Sequence, residues 1–155
     1  MDFSSAPITM ILIAVNVIVS LIGFSNASFL GKTIMHPYTV KRNKEYHRMI
    51  TSGFLHADYM HLFFNMFTLY FFGQAVEIIF NRYGLGGNAA YLALYFIGLV
   101  VSDLPSYLKH QDDYNYRSLG ASGAVSAVLF SAIVFNPFSI IYIYFAIKIS
   151  AALYA

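Results

Sequence analysis

From Pro7 to Phe24 the chain reads PITMILIAVNVIVSLIGF, without one charged side chain. A helix over this run, at about 1.5 Å per residue, nearly crosses a hydrocarbon core of roughly 30 Å. Three more apolar runs follow. His61 to Phe80 reads HLFFNMFTLYFFGQAVEIIF and ends at Arg82, Tyr83, Gly84, Gly86 and Gly87. Ala89 to Leu108 is closed by LPSYLKH, and the last run starts near Ser122 and stops at Asn136-Pro137. With 59% hydrophobic and only 10% charged residues, against about 25% charged in soluble domains, the chain has nowhere to bury this surface except in lipid. The reading is an all-α, polytopic transmembrane helical bundle forming a single membrane domain over residues 1–155.

The flanks fit that reading. Ser4 and Ser5 can cap the first run, and Pro7 is tolerated in a first turn. The first run lacks the basic leader of a cleaved signal, carrying only Asp2 before it, so it is read as a retained span. The 13 Tyr and 15 Phe suit membrane interfaces, with Tyr in place of the absent Trp. There are no cysteines and the net charge is +2, which removes thiolate chemistry and gives no footing for nucleic acid. Asn26 to Met60 is a long polar connection bearing Lys32, Lys41, Arg42, Lys44 and Arg48, and loops of that length usually have a task. In the tail, a span through Lys148 would cost about 2.5–3.5 kcal/mol. The preferred reading makes Phe138 to Ser150 an aromatic interfacial connection and Ala151 to Ala155 the start of a fifth span. The chain stops inside apolar sequence, so a C-terminal truncation is expected.

Polar side chains inside spans are functional hypotheses. His61 and Asn65 are four apart and share one helical face, which Thr68 continues. Glu77 lies about 24 Å further along the axis and points elsewhere, so it is not the partner of His61. Ser122, in SLGASGAV, opens the fourth run between Gly120 and Gly123. A helix N-terminus offers unpaired N–H groups to a developing oxyanion. The other reading is packing, because Gly123, Ala127 and Ser131 form a stripe of small residues. His61 opens the second span and Ser122 the fourth. Spans two apart run the same way, so both lie near one membrane face.

HRMITSGFLHADYMHLFFNM and SLGASGAV together resemble the rhomboid intramembrane serine proteases. The first block is similar to that family's Arg, His, then H-x-x-x-N signature, and the second to its G-x-S-G motif. The resemblance implies a six-span bundle, of which this chain holds four spans and the start of a fifth. It makes Ser122 the nucleophile and His61 and Asn65 the oxyanion hole, together with the Ser122 backbone N–H. Arg48, His56, Glu77, Gly120 and Gly123 become structural or supporting residues. It implies no cofactor and no metal. The partners it implies are the lipid bilayer and membrane-anchored protein substrates, and the bacterial type points to an inner membrane. The family's first loop lies outside, whereas the five basic residues of Asn26 to Met60 would favour the cytoplasm; the family orientation is followed. Its general base is a sixth-span histidine, while all five histidines here are at or before His110. His110 is the remaining candidate base, by folding back from the loop.

Three other functions compete. A rhomboid-like protein without catalysis could bind transmembrane clients, but it has no need of Ser122, His61 and Asn65 together. A transporter could use His61, Asn65 and Glu77, although their opposed faces break the path. A metal site could use His56, Asp58 and His61, but HADYMH is not H-E-x-x-H.

Overall fold

The computed structural model describes residues 5–137 together with the backbone of 140–143 and 147–150. Helix α1 is Pro7–Ser25. Its N-cap is Ala6, without a side-chain cap, and Pro7 occupies the first turn; Ser5 is not the cap expected, and Ser4 lies outside the described residues. The long connection is mostly helical, with α2 (Ala27–Thr33), α3 (Pro37–Asn43), α4 (Arg48–Thr51) and a 3₁₀ turn at Ser52–Phe54. The second span, Tyr59–Arg82, consists of α5 (Tyr59–Thr68), a π-helical turn (Leu69–Gly73) and α6 (Gln74–Arg82). The third is α7, Gly87–His110, which continues through Pro105. Helix α8 is Ser122–Phe135. Strands β1 (Ile140–Ile143) and β2 (Ile147–Ser150) pair antiparallel, with Ile140 opposite Ser150. The tail, expected to be an interfacial connection, is a pair of antiparallel strands where it is described, and the fifth-span start at 151–155 lies outside the described residues.

The architecture is an all-α bundle with spans Pro7–Ser25, Tyr59–Arg82 and Gly87–His110. The shorter apolar α8 packs against α7. Leu12, Leu69, Val76, Tyr91, Tyr95, Leu99, Ala124 and Val128 form the buried core. Ile11, Val15, Ile18 and Ile22 of α1 stay exposed, as a lipid-facing stripe requires. Helices α7 and α8 meet where side chains vanish: a Cβ on Gly98 would lie 3.0 Å from Ala127 Cβ, and one on Gly123 would overlap the Ser102 side chain. Part of the small-residue stripe therefore does pack, and it does so on a side of α8 other than that of Ser122.

Glu77 holds α1 to the second span. Its carboxylate accepts the backbone N–H of Ile8 at 2.9 Å and of Thr9 at 2.8 Å, and the Thr9 hydroxyl at 2.7 Å. These are orphan donors of the first turn of α1, at the positive end of its dipole. With its one proton given to Glu77, Thr9 accepts from the Tyr91 hydroxyl, 2.9 Å away. Glu77 and Thr9 are wholly buried.

Arg48 organises the first connection in a similar way. Its guanidinium donates to the Gly31 and Ile34 carbonyls at the end of α2, both at 2.9 Å, and to Glu45 at 2.6 Å. That bond holds the Glu45 carboxyl below its ordinary range.

Glu77→Ala leaves the two buried Thr9 donors without that acceptor, at roughly 1–3 kcal/mol each before relaxation, and the part-buried Ile8 N–H as well. We expect a clear drop in the thermal unfolding midpoint in detergent, and a smaller one for Glu77→Gln, which keeps one acceptor oxygen. An unchanged midpoint for Glu77→Ala would remove Glu77 from the fold's supports.

Candidate active site

Ser122 is the first residue of α8 and is exposed. Its hydroxyl makes no hydrogen bond to any described residue. Because the first intrahelical bond of α8 runs from Val125 N–H to Ala121 O, the N–H groups of Ser122, Gly123 and Ala124 have no partner within the helix.

The loop that delivers Ser122 is pinned from below by the first connection. Met35 and Ser118 exchange backbone hydrogen bonds at 3.1 and 3.2 Å, and Gly120 N–H donates to Ser52 O at 3.0 Å. His36 contacts Tyr114 O at 3.0 Å, and Lys41 pairs with Asp112 at 2.9 Å. Gly120 has φ +126, in the region open to glycine, and a Cβ there would lie 2.8 Å from His61 Cε1. Glycine at 120 therefore allows both the turn into α8 and the seating of the His61 ring against it.

His61 and Asn65 sit one turn apart on α5, whose N-cap Asp58 accepts His61 N–H at 2.7 Å. His61, Asn65, Thr68 and Ser122 line one cavity of about 300 Å³, closed on its apolar side by Val125 and Leu129. Ala57 N–H approaches His61 Nδ1 at 3.4 Å. That makes Nδ1 the acceptor and puts the proton of a neutral ring on Nε2. Nε2 lies on the Gly120 side, so His61 offers the site a donor rather than a base. One Asn65 amide proton goes to His61 O at 3.1 Å, which leaves the other free.

The remaining sequence candidates separate from this cluster. Glu77 is committed to α1. Arg48 holds α2. His110 stacks on Tyr116 with ring centroids 3.7 Å apart and sits 3.8 Å from Asp113; it lines neither cavity beside Ser122. Asp58 caps α5, and no group of three His, Asp or Glu side chains placed to hold a metal is found among the described residues.

His56 stands directly behind His61, with ring centroids 5.0 Å apart at 72°. The Ser20 hydroxyl donates to Phe54 O at 3.0 Å, so its 2.8 Å contact with His56 is accepted from Nδ1–H. His56 Nε2 is then a bare, buried lone pair with no partner among the described residues. Burial, then the neighbouring His61, holds the His56 imidazole down to about 4.

Sequence reasoning passed over Asp103. It lines a second cavity of about 290 Å³, which Ser122 also lines. The signal was available, because Asp103 is a carboxylate inside the third apolar run.

Comparison with known proteins places this geometry. The Rhomboid domain family matches residues 43–155. The chain is 30% identical over 137 residues to "RHOMBOID-like protein 12, mitochondrial" of Arabidopsis thaliana, covering 83% of this chain and 41% of that protein. It is 32% identical over 83 residues to "Putative rhomboid protease YdcA" of Bacillus subtilis (strain 168), covering 54% of this chain and 38% of that protein. It is 35% identical over 82 residues to "Presenilin-associated rhomboid-like protein A, mitochondrial" of Danio rerio, covering 52% of this chain and 20% of that protein. The chain belongs to the rhomboid family and is a multi-pass membrane protein. It spans about two fifths or less of the length of these relatives.

A neutral His56 in the fold and a titrating one in the unfolded chain make stability depend on pH. The folded value is about 4 and the ordinary value 6.5, so the unfolded chain binds the extra proton between them. The contribution is complete above pH 6.5 and is lost as pH falls toward 4. It is on the order of 3 kcal/mol at most. His56→Phe should flatten the dependence of the unfolding midpoint on pH across this window. Equal slopes for the two proteins would refute a neutral, buried His56.

Proposed function

We propose that the protein carrying this chain is an intramembrane serine endopeptidase, acting on membrane-anchored proteins in or near their transmembrane segments. The observation that carries this reading is one cavity holding an unbonded serine hydroxyl at a helix N-terminus, opposite the side chains of His61 and Asn65. Ser122 Oγ attacks the scissile carbonyl carbon and forms a C–O bond. Its proton passes to a base, the sixth-span histidine of the family pattern, which residues 1–155 do not supply. The carbonyl oxygen becomes an oxyanion and accepts hydrogen bonds from Ser122 N–H, His61 Nε2–H and Asn65 Nδ2–H. The C–N bond breaks as the base returns the proton to the leaving amine, and water releases the acyl group from Ser122 by the reverse sequence.

Helix α8 supports a sunken site. Its 14 residues extend about 21 Å, short of a hydrocarbon core of roughly 30 Å. An end that starts at Ser122 can thus lie below the membrane surface. The proposed membrane is a bacterial inner membrane; two relatives carry mitochondrial names, and imaging of a tagged full-length protein decides between the two compartments.

One observation favours a second reading, a non-catalytic rhomboid that binds transmembrane clients. Among the described residues no histidine bonds Ser122. His56 and His61 have the bonding described above, His36 is held by Tyr114 O, His47 is exposed, and His110 is stacked.

The test uses the full-length protein in liposomes with a membrane-anchored reporter. Ser122→Ala should abolish cleavage, and retained cleavage removes Ser122 from the mechanism. His61→Ala and Asn65→Ala should each slow cleavage by up to about 10²–10³-fold; unchanged rates in both make the pair structural. A folded wild-type protein that co-purifies with the reporter but never cuts it supports client binding instead.

A further inference from the structure

The basic residues of this chain are gathered at one membrane face. Segments 26–60 and 109–121 carry seven of its nine Lys and Arg residues. Helix α1 ends at Ser25 and α7 at His110, while α5 starts at Tyr59 and α8 at Ser122. Successive spans cross in opposite directions, so both segments lie at the face where Ser122 lies. Arg82 ends the second span and falls at the opposite face.

Four acidic residues share this face, and each is already engaged. Asp112 takes both Lys41 and Arg42, and Glu45 takes Arg48. Asp58 caps α5, and Asp113 faces His110 at 3.8 Å. Lys32, Lys44, Lys109 and Arg117 are left without an acid. Arg117 bonds the Tyr114 and Tyr116 carbonyls, which carry no charge. The three lysines make no hydrogen bond or ion pair with any described residue, and all three are exposed.

The fold fixes where these lysines stand. Helix α3 stops before Lys44 and is fastened to the end of α7 by the Lys41–Asp112 pair and by Arg42 donating to Gln111 O at 3.2 Å. Lys32 is in the last turn of α2, whose end Arg48 holds. Lys109 is in the last turn of α7. Helix α2 packs on α1 and α3 on α7, so the ammonium groups are spread across the bundle. None of them lines either cavity beside Ser122. Exposed apolar side chains adjoin them in the chain, with Tyr46 and Ile50 after Lys44 and Leu108 before Lys109. Such neighbours suit the headgroup layer, where carbon meets the acyl chains and the ammonium meets phosphate.

We propose that this face is a docking surface for anionic phospholipid headgroups, with Lys32, Lys44 and Lys109 as its phosphate contacts. It rests on the membrane bundle and not on the peptidase reading. Each ammonium donates charge-assisted hydrogen bonds to phosphate oxygens. A headgroup that carries no cation of its own leaves its phosphate open to them. A bilayer borders the whole circumference of the bundle, which matches lysines dispersed over three elements; a protein client engaged at Ser122 meets one side only.

The experiment uses the full-length protein in neutral detergent micelles that contain equal amounts of phosphatidylglycerol and phosphatidylcholine with matched acyl chains. The lipids that co-purify are counted by mass spectrometry. Wild type should retain phosphatidylglycerol at least about threefold over phosphatidylcholine at low salt, falling toward parity in about 0.5 M NaCl. Lys32→Gln, Lys44→Gln and Lys109→Gln combined should bring the two lipids near parity. The three Lys→Arg changes should keep the preference, and Arg82→Gln at the far face should leave it unchanged. No preference in wild type overturns the proposal. So does a preference that survives the triple Gln variant, or one that Arg82→Gln lowers equally. If the triple variant does not fold, the three single Gln variants decide, each expected to lower the preference. Equal retention of both lipids, with tighter binding of an acid-flanked client reporter that the triple Gln variant loses, assigns the lysines to a protein partner and overturns the lipid surface.

Discussion

The carboxylate of Glu77 is the tie on which the arrangement of the bundle depends. Lipid offers no hydrogen bonds, so the open N–H groups at the start of α1 need an acceptor from the protein itself. Glu77 supplies one from the second span, and α1 is thereby fixed against α6 and α7. Once α1 is held, its inner face presents Asn16 to the Tyr95 hydroxyl at 2.9 Å and Ser20 to His56 at 2.8 Å. His56 in turn backs the His61 ring. A bond at one end of α1 and the seating of a side chain beside Ser122 thus belong to one run of buried polar contacts along one helix face.

A second constraint works from the other direction. Ser122 stands at a helix start with an open approach, and both come from the loop before it. That loop is held only in part by apolar packing, at Ala121 and at the Tyr114 ring against His36 and Tyr38. It is held by backbone bonds to Met35 and Ser52, by the His36 contact with Tyr114 O and by the Lys41–Asp112 pair. The long first connection is therefore a platform under the serine loop, and its short helices are what give it fixed donors and acceptors. Close approach of α7 and α8 at Gly98 and Gly123 then sets the depth and direction of the serine-bearing helix.

The two cavities beside Ser122 differ in the chemistry they offer. One is lined by neutral donors, suited to an oxygen that gains negative charge. The other is lined by a carboxyl and hydroxyls.

Much of this was legible without coordinates. Apolar runs specified the spans within a few residues, since lipid demands helices of nearly fixed length. The four-residue spacing specified that His61 and Asn65 share a face, and the parity of spans put them at the same end as Ser122. Other features were decided by tertiary structure. The Asn26 to Met60 segment is too short in each apolar patch to signal helices; Arg48 holds it together internally, and the Met35–Ser118 backbone bridge ties it to the rest of the chain. The π turn at Leu69–Gly73 leaves no mark in hydropathy, because it shifts hydrogen bonds without changing composition. The His56–Ser20 bond joins residues 36 apart. That Asp103 and Ser122 line one cavity depends on how α7 and α8 rotate against each other, and that rotation is set by contacts between helices, which no local spacing encodes.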